Sequence, residues 1–172
     1  MLAFRPASAG EAPRLADFVN AAYRGEGAKR GWTTEAGILG GQRTDAGALR
    51  EVIEAAGSRL ELAFEGEALV GCVQLVREPS GACYLGMLTV APDRQAGGIG
   101  KALLGRSEEL AREWGCRGMR MTVIEVRKEL ISYYERRGYE RTGATEPFPE
   151  DDRRFGLPKV RGLRFVELTK TI

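Results

Sequence analysis

Residues 85–114 read LGMLTVAPDRQAGGIGKALLGRSEELAREW, and this stretch decides the fold. It opens on an apolar run typical of a buried strand, and Pro92 ends that strand because proline cannot donate to a β-ladder. A glycine-rich loop follows at 95–100, and from Ile99 onward the apolar residues recur at helical spacing. The stretch therefore predicts a strand, a glycine loop and a helix in direct succession.

The predicted helix start is suited to binding an anion. The first amide groups of a helix have no partner within it, and the helix dipole favours negative charge there. Glycine lets the backbone approach a phosphate because no Cβ intervenes, and Lys101 adds a cation in the first turn. The residues expected to bind a diphosphate are Gln95, Ala96, Gly97, Gly98, Ile99, Gly100 and Lys101.

Three phosphate-binding patterns compete for this loop. A P-loop would need glycine where Gln95 stands, and serine or threonine where Ala102 stands. A dinucleotide fingerprint would need glycine in place of Leu103. The pattern Q-x-x-G-x-G is matched by Gln95, Gly98 and Gly100. A glycine-rich turn without a ligand remains the alternative.

The composition indicates one soluble domain over residues 1–172. The hydrophobic fraction of 43% and the charged fraction of 29% are those of an ordinary globular protein. The net charge of +2 is too small to indicate binding to nucleic acid or a membrane surface. No apolar run reaches the roughly 20 residues that span a bilayer, and the start of the chain lacks the apolar segment of a signal peptide.

Histidine and cysteine usage narrows the chemistry further. The chain has no histidine, which excludes a Ser-His-Asp triad, a histidine base and histidine metal ligands. The 3 cysteines are odd in number and form no C-x-x-C pair, so we expect reduced thiols, no metal site and a cytoplasmic location. Acid–base chemistry must therefore use carboxylate, tyrosine, cysteine or lysine side chains, or water.

The order of the predicted elements indicates a mixed α/β fold with the sheet at its centre. Strands are predicted at 2–5, 59–65, 68–77, 82–90, 119–126, 139–145 and 163–169, and helices at 10–23, 46–56, 99–114 and 127–137. Short turns join 59–65, 68–77 and 82–90 into an antiparallel meander. The helical connection after residue 90 makes strand 119–126 parallel to strand 82–90.

This order resembles the GCN5-related N-acetyltransferase (GNAT) superfamily, which uses acetyl-CoA. Q-x-x-G-x-G following Val90 and Pro92 is similar to its pyrophosphate-binding signature, and residues 134–139, YERRGY, look like its Y-E-x-x-G-[FY] segment. The resemblance covers essentially the whole chain and points to an uncharacterised bacterial branch of the superfamily. It implies a single N-acetyltransferase domain whose mostly antiparallel sheet contains one parallel, splayed strand pair and is flanked by helices.

The resemblance also implies how a donor is bound. In the family two neighbouring strands splay apart and receive the pantetheine arm of acetyl-CoA; here these are strands 82–90 and 119–126. Backbone groups of Leu88, Thr89 and Val90 are then expected to bind the arm and polarise the thioester carbonyl. Arg127 stands where many members have a cofactor-contacting asparagine, and its guanidinium would instead reach phosphate.

Two residues are candidates for acid–base catalysis. Tyr134 matches the family tyrosine that often serves as general acid, and a phenol pKa of about 10 suits protonation of a thiolate. Glu125, near the end of its predicted strand, would hold a water that accepts the proton of the amine. The alternatives are a core-filling tyrosine and a glutamate on the surface of the sheet.

Acceptor specificity in the family usually lies in the first helices and a late loop. The candidates here are Tyr23, Trp32, Glu35, Arg43 and Phe148. Arg43 would bind a carboxylate or phosphate of the acceptor, and Glu35 would bind an amine. An ordinary packing or surface role is the alternative for each.

The predicted function is acetyl-CoA-dependent N-acetyl transfer to a primary amine of a small molecule or peptide, by direct attack in a ternary complex. The alternative is a non-catalytic acyl-CoA-binding or sensing domain on the same fold. A third hypothesis, nucleotide-phosphate binding, lacks the P-loop and dinucleotide residues. The sequence predicts no nucleic-acid or membrane partner and leaves monomer and homodimer both open.

Overall fold

The computed structural model describes residues 1–24, 39–40, 42–149, 157–159 and 162–172. Its helices are α1 (Ala12–Arg24), α2 (Ala46–Glu54), α3 (Ile99–Glu113) and α4 (Lys128–Glu135). Its strands are β1 (Leu2–Pro6), β2 (Leu39–Gly40), β3 (Ser58–Glu65), β4 (Ala68–Arg77), β5 (Ala82–Val90), β6 (Gly118–Ile124), β7 (Glu140–Pro147), β8 (Leu157–Pro158) and β9 (Arg164–Thr171). No helix in these ranges is both long and apolar enough to cross a membrane.

Seven strands form one sheet in the order β1-β3-β4-β5-β6-β9-β7. Its pairs are antiparallel except for β5 and β6, which run parallel as expected from the helical connection between them. The antiparallel meander β3-β4-β5 is also confirmed. The short strands β2 and β8 pair separately, and the sequence analysis did not predict that ladder.

The predicted start of the first helix holds a capping box. Ser8 and Glu11 satisfy each other's polar groups, and the backbone N–H of Ser8 donates to the Glu11 carboxylate at 2.9 Å. These contacts close a 3-10 turn, Ala9–Glu11, so α1 begins at Ala12 and not at residue 10.

The second helix begins as predicted. The Asp45 carboxylate accepts from the backbone N–H of Ala48 at 2.8 Å, as an N-cap residue does. The chain leaves the helix at the other end through Gly57, whose φ of +73° suits glycine.

Apolar side chains fill both faces of the sheet. One cluster, which includes Leu103 and Met119, lies between the sheet and the helices α3 and α4. The other, which includes Leu15 and Leu62, lies beneath α1 and α2. Helix α3 approaches β4 closely at Gly71, where a Cβ would lie 2.7 Å from the Leu103 side chain. Only glycine leaves room for that contact.

A β-bulge changes the direction of β5 midway along the strand. Cys72 pairs with Thr89 and Gln74 with Gly86, so two β5 residues, Met87 and Leu88, lie opposite a single β4 residue. Met87 has a φ of +52°, the only positive value outside glycine among the described residues. Because bulges bend and twist a strand locally, this one redirects the second half of β5.

Candidate active site

Strands β5 and β6 are joined at one end and apart at the other. They pair at three positions, from Ala82 opposite Gly118 to Tyr84 opposite Arg120. Beyond these pairs a cavity of about 420 Å³ lies between the strands. From the two strands it is lined by Tyr84, Leu85, Gly86, Met87, Leu88, Met121, Thr122, Val123 and Ile124. The splayed pair predicted from the sequence is therefore present.

A second cavity, of about 90 Å³, extends from the splay towards the start of α3. Its lining includes Thr89 and Val90 on β5 and Gln95 and Gly100 in the glycine-rich segment. Side chains shared by both cavities are Tyr23, Leu88, Arg127, Leu130 and Tyr134. The two cavities thus adjoin and lead from the helix start into the splay.

The glycine-rich segment is more ordered than a loop. Pro92–Gly97 forms a 3-10 turn, and Gly98, with a φ of +80°, is the N-cap residue of α3. A Cβ at Gly97 or Gly98 would have no atom within 4 Å, so this backbone faces open space. At Gly100 a Cβ would lie 3.1 Å from the Tyr133 hydroxyl. The open space beside Gly97 and Gly98 at this helix start leaves room for a diphosphate.

Tyr134 occupies the junction of the two cavities. Its side chain is 5% exposed and makes an edge-to-face contact with Tyr139 at 5.9 Å between ring centroids. Burial raises the pKa of its phenol above the ordinary value, so the hydroxyl stays protonated at neutral pH. Within the part of the chain that the structure describes, this hydroxyl has no hydrogen-bond partner.

Comparison with known proteins identifies the family. A family model described as the acetyltransferase (GNAT) family matches residues 32–139, more than half of the chain. The chain belongs to this family. The acetyl donor of the GNAT family is acetyl-CoA. Among curated proteins, none matches the chain.

Solved acetyltransferase structures share the whole fold. The ribosomal-protein-alanine N-acetyltransferase of Brucella melitensis superposes with a TM-score of 0.73 at 21% identity, covering 99% of each chain. For yncA of Salmonella typhimurium, solved with its cofactor acetyl-CoA, the TM-score is 0.71 at 18% identity, over 99% of this chain and 93% of that one. For the ribosomal-protein-S18-alanine N-acetyltransferase of Escherichia coli, the TM-score is 0.71 at 12% identity, over 100% of this chain and 94% of that one. Identities this low show the shared fold alone.

In this GNAT chain the residues predicted to hold the diphosphate surround the start of α3. Ile99 differs from the rest, because its side chain is 2% exposed and packs in the core, so only its backbone faces the site. Lys101 is exposed in the first turn of the helix. Arg127 is buried and lines both cavities. Thr89 is also buried, and its hydroxyl donates to the carbonyl of Met87 at 2.9 Å, which closes the bulge.

Three of the predicted acceptor residues meet at the larger cavity: Tyr23, Arg43 and Phe148. The hydroxyl of Tyr23 donates to the carbonyl of Leu88 at 2.8 Å, so it also holds the bulged strand. Phe148 packs against Phe165, with ring centroids 5.4 Å apart. The other two candidates, Trp32 and Glu35, lie outside the described residues.

The predicted base is not brought to either cavity. Strand β6 ends at Ile124, before residue 126, and Glu125 lies exposed in the turn that follows. Its backbone N–H donates to the carbonyl of Arg164 at 2.8 Å, which fixes this turn. Among the described residues, the carboxylate that lines the larger cavity belongs to Glu146 on β7. Sequence spacing gave no sign of Glu146, because its position depends on how β7 pairs with β9.

Proposed function

We propose that this chain is an acetyl-CoA-dependent N-acetyltransferase that acts on a primary amine of a small molecule or peptide. The amine would attack directly, with donor and acceptor bound together. The observation that carries the proposal is the place of Tyr134, a protonated and buried phenol where the donor-side and acceptor-side cavities meet. The proposal includes a cytoplasmic location, which the three free cysteines support.

The donor would be held mainly by backbone. When bound, acetyl-CoA supplies a thioester carbonyl that an amine can attack. Amides of residues 95–101 would bind the diphosphate at the start of α3, with Lys101 and Arg127 supplying positive charge. The backbone of Leu88–Val90, unpaired with β6, would bind the pantetheine arm and hold the thioester carbonyl.

Tyr134 would donate its proton to the departing sulfur. Because burial raises the pKa of its phenol, the hydroxyl carries its proton throughout the neutral range. As the C–S bond breaks, the phenol proton would move to the departing sulfur, and a positioned proton donor typically contributes about 10²- to 10⁴-fold in rate.

For the proton of the amine we propose Glu146 in place of Glu125. Both side chains are exposed, but Glu146 lines the larger cavity, whereas Glu125 lies in a turn outside both cavities. A base must reach the proton that it accepts, directly or through one water. Glu146 lies on the wall of the larger cavity, where the acceptor amine would bind.

The central test uses two neighbouring tyrosines. Tyr134→Phe and Tyr133→Phe remove one hydroxyl each, and free thiol release from acetyl-CoA is measured with a panel of amines. We expect kcat to fall about 10²-fold or more for Tyr134→Phe and far less for Tyr133→Phe. Tyr133 lines only the smaller cavity and is half-buried. Equal losses in both variants would contradict the role of Tyr134.

A second pair of variants tests the base. Glu146→Gln should lower kcat most strongly at low pH, where fewer amines are neutral, and Glu125→Gln should leave the pH profile of kcat unchanged. If Glu125→Gln changed the pH profile of kcat and Glu146→Gln did not, Glu125 would be the base.

The alternative of a non-catalytic sensing domain has its own signature. Tight binding of acetyl-CoA with no turnover on any amine would indicate that domain instead.

A further inference from the structure

We propose that the acceptor carries a carboxylate as well as its amine, and that Arg43 recognises this carboxylate. The acceptor class is then an amino acid with an apolar side chain. This inference rests on the proposed N-acetyltransferase function and adds the substrate class to it.

Arg43 is a cation at the wall of the larger cavity. Its guanidinium lies over the ring of Tyr23, 5.4 Å from the centroid. Across the described ranges no carboxylate pairs with it, although most other half-buried arginines there do have an acidic partner, as Arg120 does with Glu78 at 2.7 Å. A positioned guanidinium beside a cavity binds a carboxylate through two parallel hydrogen bonds.

The backbone of Arg43 is fixed by Asn20 of α1. The side-chain oxygen of Asn20 accepts from the N–H of Arg43 at 2.7 Å and from the N–H of Thr44 at 3.0 Å. Its amide nitrogen donates to the carbonyl of Thr44 at 2.9 Å. Asn20 and Tyr23 are three residues apart and share one helix face. That face therefore holds both the Arg43 backbone and the bulged strand that borders the donor site.

The remaining walls suit an apolar body and an amine. Tyr84, Phe148 and Phe165 line the cavity with aromatic rings, and Glu146 adds a negative charge. The ring of Tyr84 is held in place by the guanidinium of Arg120, 4.8 Å from its centroid. Arg43 and Glu146, a cation and an anion across an aromatic surface, match the carboxylate and the amine of a zwitterion. A phosphate dianion would need a second positive charge beside Arg43, and the other cation of the lining, Arg127, is the one that we assign to the donor diphosphate.

The test compares L-phenylalanine with L-phenylalaninamide as acceptors. The two differ only in the carboxylate, and we measure kcat/KM for both with saturating acetyl-CoA. The wild-type protein should prefer the acid, and Arg43→Gln should reduce the acid-to-amide ratio about 10- to 100-fold. Because the ratio is compared between proteins, the different basicities of the two amines cancel. Arg43→Lys should keep only part of the preference for the acid, since the lysine ammonium cannot form the two parallel hydrogen bonds that a guanidinium forms with a carboxylate.

Two variants separate a specific role from a structural one. Arg50→Gln removes an exposed arginine on α2 and should leave the ratio unchanged. Asn20→Ala should raise KM for L-phenylalanine while kcat/KM for the amide stays near its wild-type value, because Asn20 positions Arg43. Equal losses for both acceptors in Asn20→Ala would mean a structural role only.

The source of the carboxylate is tested with the dipeptide Phe-Gly. If the dipeptide is acetylated with the same dependence on Arg43, the recognised carboxylate is that of a peptide, and the proposal of a free amino acid as acceptor is wrong. Equal use of acid and amide by the wild-type protein would overturn the whole inference while the N-acetyltransferase function stands. If no amine is acetylated, that function fails, and calorimetric binding of L-phenylalanine to wild-type and Arg43→Gln proteins still decides whether the carboxylate site exists.

Discussion

The two ends of the β5–β6 pair differ in structure, because one end is paired and the other borders a cavity. At the closed end Cys83 lies opposite Met119, both nearly inaccessible, and Arg120 binds both carboxylate oxygens of Glu78. At the open end the same strands border a cavity, and the carbonyl of Leu88 is bound by the hydroxyl of Tyr23. One strand pair is therefore hydrogen-bonded and closely packed at one end and borders a cavity at the other.

This difference indicates which part of the strand pair stabilises the sheet and which part could contact a ligand. Backbone groups at the closed end are used within the sheet, so they are not available to a ligand. At the open end the bulge at Met87–Leu88 redirects β5, and the backbone facing β6 is unpaired with it. We expect substitutions at the closed end to change stability and substitutions at the open end to change kinetics.

The largest effect on stability is expected for Met119→Ala at the closed end. Met119 is 1% exposed in the main core, so the variant should lose about 2–5 kcal/mol of unfolding free energy. Urea unfolding measures this loss, and kcat of the folded protein should be unchanged. Leu88→Ala at the open end is the matched case, with a smaller loss of stability and a higher KM for acetyl-CoA. If Met119→Ala changed kcat instead, the two ends would not be separable.

Gly71→Ala should have the next largest effect, because it pushes α3 away from the open end. The added Cβ would meet the Leu103 side chain at 2.7 Å and the carbonyl of Thr89 at 2.9 Å. Overpacking of this kind costs about 1–3 kcal/mol, and the displaced helix start should weaken acetyl-CoA binding. Thermal unfolding and donor titration measure the two effects.

Gly105→Ala on the same helix is the control. A Cβ there would have no atom within 4 Å, so replacing a helical glycine should stabilise the protein by about 0.5–1 kcal/mol. If Gly105→Ala were also destabilised, the effect of Gly71→Ala could not be attributed to the close contact between β4 and α3.

Tyr23→Phe should have a smaller effect, confined to the open end. It removes the hydrogen bond to the carbonyl of Leu88, worth about 0.5–1.5 kcal/mol, and leaves the ring in place. We expect kcat to fall while the unfolding free energy changes by no more than that amount. Tyr84→Phe keeps a ring in the same cavity and should leave kcat nearly unchanged. Identical kinetics for Tyr23→Phe and wild type would show that the bulge keeps its shape without Tyr23.

The smallest effect is expected away from both ends, at the capping box. The guanidinium of Arg5 lowers the pKa of Glu11 from 4.5 to about 2, with a further contribution from the Ser8 backbone. The ion pair therefore stabilises the folded state above pH 4.5, and this contribution is lost as the pH falls towards 2. Glu11→Gln should abolish that part of the pH dependence of the melting temperature, with a smaller change at pH 7 than Tyr23→Phe. If the melting temperature of Glu11→Gln fell at acid pH as it does for the wild-type protein, the proposed contribution of the Arg5–Glu11 ion pair would be wrong.

Some elements could be predicted from local spacing alone. Strands 68–77 and 82–90 lie within the predicted bounds, because glycine and proline turns mark their ends. The inward orientation of Tyr134 on α4 also follows from spacing, since Ile131 and Tyr134 share the buried face of that helix. Glu125 could not be placed in this way. The predicted strand extended two residues beyond the observed end of β6, so Glu125 was expected in a strand but lies in a turn.

By itself the sequence determined the order of the elements, the glycine segment at the start of α3 and the inward face of α4. These depend on contacts between residues a few positions apart. The tertiary structure alone decided where β5 and β6 part, that Gly71 admits α3, and that Glu146, and not Glu125, borders the larger cavity. Those features depend on register and on contacts between distant segments, which no local pattern records.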